Sequence, residues 1–170
     1  MAILPIRMLP DPVLFQRAKR IQAFDQNLRK LVDDMIDTMR AAKGVGLAGN
    51  QIGVLLRIAV IEIPEEKGRV RIFINPEVVS RSGSREMDEG CLSYPGYRGT
   101  TTRSERIHVR ALDLQGKAFT VKAEGDLLAH ALEHEIDHLN GSLYLSKLVS
   151  KDAIWKVPEI ELAEATAEHK

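Results

Sequence analysis

The apolar residues Leu28, Leu31, Val32, Met35, Ile36 and Met39 recur with a 3.6-residue period. This predicts an amphipathic helix that begins after Asp25, a good acceptor for the free N–H groups of a first turn, and ends near Gly44. A second helix is predicted over 126–140. Its apolar face is Leu128, Ala131, Leu132, Ile136 and Leu139, it is stopped by Gly141, and His130, His134 and His138 lie on another stripe. Between the two, 57–63 and 69–75 read as strands paired across the loop 64–68. Segments 106–112 and 117–123 flank the turn Asp113-Leu114-Gln115-Gly116 as an antiparallel hairpin.

Helices and short antiparallel strands predict an α+β fold with the helices packed against the strands. At 170 residues, without repeats or a long linker, the chain is expected to hold one domain over 1–150. The charged, Ala-rich tail 151–170, broken by Pro158, is expected to be partly helical and packed through Ile154 and Trp155. The 24 Lys and Arg residues balance 24 Asp and Glu, so no basic field attracts nucleic acid or an anionic membrane. There is no secretory leader pattern and no apolar run near the roughly 18 residues of a membrane span, so a soluble, cytoplasmic protein is expected. The lone Cys91 excludes an internal disulfide and leaves three uses: a small buried hydrophobe, a nucleophile or a metal ligand.

His134-Glu135-Ile136-Asp137-His138 is an HExxH sequence. Four residues make roughly 400° of helical rotation, so both imidazoles project from one side and can share an ion. Glu135, next to the first histidine, can exchange a proton with a water at the ion without being a ligand. Five-residue matches also arise by chance with exposed histidines, but the amphipathic helix favours the functional reading.

A catalytic site of this kind needs a third protein ligand and an open position. The pattern HExxHxxGxxH is followed as far as Gly141 but has Tyr144 where the last histidine belongs. A downstream glutamate, Glu159 or Glu161, would define a zinc endopeptidase. His130 is a weaker candidate, because three helical histidines at this spacing drift around the axis. The need for a third ligand favours Cys91, preceded by Gly90, with a thiolate suited to a borderline divalent metal. A closed structural site would be the non-enzymatic alternative.

Gly44-Val45-Gly46-Leu47-Ala48-Gly49 matches GxGxxG, but it follows a helix and precedes a strand, the reverse of a dinucleotide fingerprint. Its glycines can instead bring main chain close to a ligand, with Gln51 as a side-chain amide donor. The plain alternative is a flexible turn.

Segments 44–51, 89–93 and 134–138 together resemble the three signature motifs of the peptide deformylases, in order and with similar spacing. The resemblance runs from about residue 3 to about residue 150. It implies short antiparallel sheets packed around a central HExxH-bearing helix, and an Fe2+ ion replaceable by Zn2+ or Ni2+, held by Cys91, His134 and His138. It further implies Glu135 as acid/base, with Gln51 and the Leu92 backbone N–H facing the formyl oxygen. The implied substrate is an N-formylmethionyl peptide or nascent chain, met at the ribosome or free of it by a monomer. Val45, Gly46, Leu127, His130 and Ala131 would surround the methionine side chain, and Glu89 and Gly90 would line the pocket or bind substrate backbone. Two departures from the family pattern stand beside the site: Gly49 for an alanine, expected to loosen the loop carrying Gln51, and Glu133 for a glutamine.

Overall fold

The Asp25 carboxylate accepts the Leu28 N–H at 3.0 Å, and helix α1 runs Gln26–Ala41 from that cap. Helix α2, Leu127–Leu139, starts in the same way, with Asp126 accepting the Ala129 N–H at 2.8 Å. These elements belong to a computed structural model that describes residues 2–158. The glutamates Glu159 and Glu161 lie outside the described residues, as does 159–170 of the expected helical tail.

The helices sit on opposite faces of a five-stranded antiparallel sheet. Its strands in chain order are β1 (Gly46–Ala48), β2 (Ile58–Ile61), β3 (Arg71–Ser82), then the hairpin Arg106–Leu112 and Ala118–Glu124. Every residue of β2 is buried because its alternate side chains serve both faces. Ile58 and Val60 meet Val32, Met35 and Met39 of α1, whereas Ile61 meets Leu132 and Ile136 of α2. A strand sandwiched in this way reads as an unbroken apolar run.

Three features depart from the sequence expectation. The glycine segment is not only a loop, because β1 pairs with β2 (Leu47↔Val60) before Gly49–Ile52 turns into one 3-10 turn. A second, three-stranded sheet, unforeseen in the pattern, is formed by β4 (Arg85–Cys91) and β5 (Tyr94–Arg103). Its third strand is Ile154–Lys156, so the described part of the tail is extended where helix was expected. The chain-order numbering therefore makes the hairpin β6 and β7, and the tail strand β8. No helix among the described residues is long and apolar enough to cross a membrane.

Candidate metal centre

Cys91 stands at the last position of β4, and the turn it opens leads straight into β5. Across the gap, His134 and His138 project from α2, one turn apart. The three side chains converge: Cys91 Sγ lies 3.3 Å from His138 Nε2, which lies 3.1 Å from His134 Nε2. Neighbouring ligands on one tetrahedral ion are spaced by roughly 3.3–3.6 Å, given Zn–S and Zn–N bonds of about 2.3 and 2.0–2.1 Å. One thiol and two imidazoles at this spacing therefore fit a single borderline divalent ion. Burial, then the neighbouring His134 and Arg103 charges, push the His138 pKa well down, whereas at His134 burial is outweighed by contacts with Cys91 and Glu89 that hold its pKa well up, so an ion binding there must displace the His134 proton.

Glu135 is buried among these groups. Burial pushes its carboxyl up to about 7, against the attraction of His134, and its Oε2 has no hydrogen-bond partner among the described residues. A carboxyl held near neutrality with a free oxygen is poised to take up and return a proton. Gly46 makes room for it, since a Cβ there would run into the Glu135 carboxylate.

Gln51 is 1% exposed and fixed from both ends of its amide. Its Oε1 accepts the Ala48 N–H at 3.0 Å, and its Nε2 donates to Ser93 Oγ at 3.2 Å and approaches Cys91 Sγ at 3.6 Å. The expected loosening by Gly49 is not what the packing shows. Gly49 is buried, and a Cβ there would lie 2.6 Å from the carbonyl oxygens of both Val54 and Leu56. The N-terminal segment braces the same region: the Arg7 and Leu9 N–H groups donate to the Gln51 and Ser93 carbonyls at 2.7 and 2.9 Å.

A cleft of about 680 Å³ opens beside the cluster, and all of Val45, Gly46, Gly90, Leu92, Leu127 and Ala131 line it. Leu92 lies across Gly44, where a Cβ would come within 2.6 Å of Leu92 Cδ1. Glu89 and His130 also border the cleft, and their polar atoms meet each other. The Glu89 carboxylate, on the lining of the cleft as expected, receives Arg103 at 2.6 and 3.2 Å, contacts His130 Nε2, and faces His134 Nδ1 at 3.7 Å. Burial alone would raise its pKa, yet the bonds from His130, His134 and Arg103 outweigh burial and hold it well below the usual carboxylate range. A carboxylate behind the distal nitrogen of a ligating histidine fixes the ring's tautomer and direction.

Arg103 and Asp137, joined at 2.5 Å, complete this network and were not singled out in the sequence. The available signal was positional, because Arg103 lies two residues beyond Thr101 on the inward side of β5, and a buried guanidinium requires a carboxylate partner. Glu133 has a separate role: its Oε1 accepts the Ser104 N–H at 2.8 Å, and Oε2 faces Arg81 at 3.9 Å.

An α+β scaffold that aims an HExxH pair and a strand-end cysteine at one point beside a cleft is that of a mononuclear metallohydrolase. The polypeptide deformylase family model matches residues 3–153, so the chain belongs to that family. It is 44% identical to the peptide deformylase of Dehalococcoides mccartyi strain CBDB1 over 99% of this chain and 100% of that relative. The peptide deformylase structure from Legionella pneumophila superposes with a TM-score of 0.84 at 42% identity, covering 99% of each chain. That from Synechococcus elongatus, solved in complex with actinonin, gives 0.82 at 34% identity, covering 97% of this chain and 86% of that one. Members of this family are metal-dependent enzymes that remove the formyl group from the N-formylmethionine of nascent peptides.

Proposed function

We propose that the chain carries out this deformylation with one divalent ion held by Cys91, His134 and His138, and with Glu135 as its proton-transfer group. The observation that carries the reading is the convergence of those three donor atoms around a buried carboxylate with a free oxygen. When bound, the ion polarises the formyl carbonyl and makes water a nucleophile near neutral pH. One thiolate and two imidazoles accept a borderline divalent ion, and the family resemblance points to Fe2+ with Zn2+ or Ni2+ as replacements.

Glu135 accepts the proton of the attacking water and returns it to the departing nitrogen. A C–O bond forms at the formyl carbon, the C–N bond breaks, and formate leaves a free amino terminus. Gln51 Nε2, held beside Cys91, and the Leu92 N–H donate to the oxygen on which negative charge develops. The roles of Val45, Leu127 and Ala131 follow from their apolar character: they give the methionine side chain a wall, while Gly46 and Gly90 let the substrate backbone approach. His130 bounds that wall and also contacts Glu89. Such a site needs only the end of a peptide, so the reading takes a monomer acting on chain ends in the cytoplasm.

The Synechococcus elongatus relative was solved in complex with actinonin, and actinonin is expected to raise the melting temperature of this protein too. The direct test is formate release from a formyl-Met peptide by protein purified without oxygen. Release that vanishes in Glu135→Gln, while about one metal per chain stays bound, supports the reading. Undiminished release by Glu135→Gln would overturn it.

A further inference from the structure

Tyr94 and Tyr97 stack face to face on the wall of the cleft, with ring centroids 4.6 Å apart and planes 8° from parallel. Residues three apart on a strand point to opposite faces. What brings both rings to one side is Gly96, whose φ of +82° bends β5 between them. A Cβ at Gly96 would have nothing within 4 Å, so the glycine is required by the backbone conformation and not by space. The bend is clamped from outside, because the Val157 N–H donates to the Gly96 carbonyl at 2.8 Å and β8 pairs with Tyr97, Arg98 and Gly99. Val157 also lines the cleft beside the rings.

The pair is only a turn away from the metal-binding position, since Cys91 is the strand partner of Tyr94. Both rings are partly exposed. Neither is needed for the hydrolytic step described above, and a cleft of about 680 Å³ is larger than one formylmethionyl residue needs.

We propose that the Tyr94–Tyr97 stack, with Val157, is a specificity-determining shelf for a side chain just downstream of the methionine, and that it favours an aromatic or large apolar residue there. The proposal rests on the deformylase reading of the cleft. An extended peptide advances about 3.3 Å per residue, so the second and third residues are those that leave the methionine pocket along the wall. A preassembled pair of rings offers a flat apolar face whose ordering cost is already met by the fold. An incoming aromatic side chain extends the stack.

The test is a comparison of kcat/KM on formyl-Met-Ser-Ser, formyl-Met-Phe-Ser and formyl-Met-Ser-Phe, for the wild type and for Tyr97→Ala and Tyr97→Phe, each metal-loaded. One of the two Phe peptides is expected to be preferred over the all-Ser peptide by roughly 3- to 10-fold, through KM. The ratio should collapse toward one in Tyr97→Ala and survive in Tyr97→Phe. Equal rates on all three peptides in the wild type, or a preference that persists in Tyr97→Ala, would overturn the shelf while leaving the deformylase reading intact. Absence of formate from every peptide would instead strike the deformylase reading. Gly96→Ala supplies a second route: strain at the bend should erode the same ratio without altering either ring, and an unchanged ratio counts against the proposal.

Discussion

Arg103→Leu removes the guanidinium that neutralises Glu89 inside the protein. Both side chains are essentially excluded from solvent, at 1% and 2% exposure, and are joined by two hydrogen bonds. Removing one partner of such a pair leaves a buried charge uncompensated, which costs about 3–5 kcal/mol. At about 2–4 °C per kcal/mol for a protein of this size, the melting temperature should fall by roughly 6–20 °C. Thermal unfolding followed by circular dichroism, on metal-loaded and chelated protein, measures it. The double variant Glu89→Leu, Arg103→Leu should recover part of the loss, because the stranded carboxylate goes with its partner. A loss under about 1 kcal/mol for the single variant, the scale of an exposed pair, would refute the reasoning.

Other consequences follow from the same geometry. Gln51→Ala removes a donor to the formyl oxygen and should lower kcat by about 100-fold with metal content unchanged; a loss under about threefold would remove Gln51 from the chemistry. Gly46→Ala places a methyl group against the Glu135 carboxylate and should cut activity severely while the melting curve moves little, whereas normal activity would mean the carboxylate can shift freely. Gly49→Ala forces a methyl group against two backbone carbonyls and should cost about 1–3 kcal/mol in denaturant unfolding, so a neutral result would show the turn to be pliable. In chelated protein the folded-state pKa of Glu89 lies below its ordinary value of 4.5. Its stabilising contribution is therefore complete above about pH 4.5 and lost as the pH falls through the folded value. The chelated wild type should lose stability toward acid more steeply than Glu89→Gln, and parallel curves would contradict this.

The elements that bury hydrocarbon were readable in the sequence. Helix α1 announces itself through periodicity and an aspartate cap, α2 through periodicity and Gly141 as its stop, and β2 through an unbroken apolar run. Strands β4 and β5 escape such a reading because their inner positions carry Glu89 and Arg103, buried by pairing with each other and with α2, and Thr101, whose hydroxyl donates to the Met87 carbonyl. A pattern of apolar residues cannot register a strand whose core contribution is an ion pair. The same blindness hid the ion pair of Glu89, since its partner Arg103 is distant in sequence and only the fold brings them together. Cys91, His134 and His138 were legible because their chemistry constrains residue type, and the two histidines also share a helix face. The tail strand β8 was hidden for a different reason: three residues pair with an edge that the sequence had not revealed.

The most direct test of the metal centre is X-ray absorption at the metal edge of anaerobically purified protein, with metal content measured on the same sample. One ion per chain with one sulfur and two imidazole nitrogens from the protein, the sulfur disappearing in Cys91→Ser, is the expected result. An ion surrounded only by nitrogen and oxygen in the wild type would contradict the site described here.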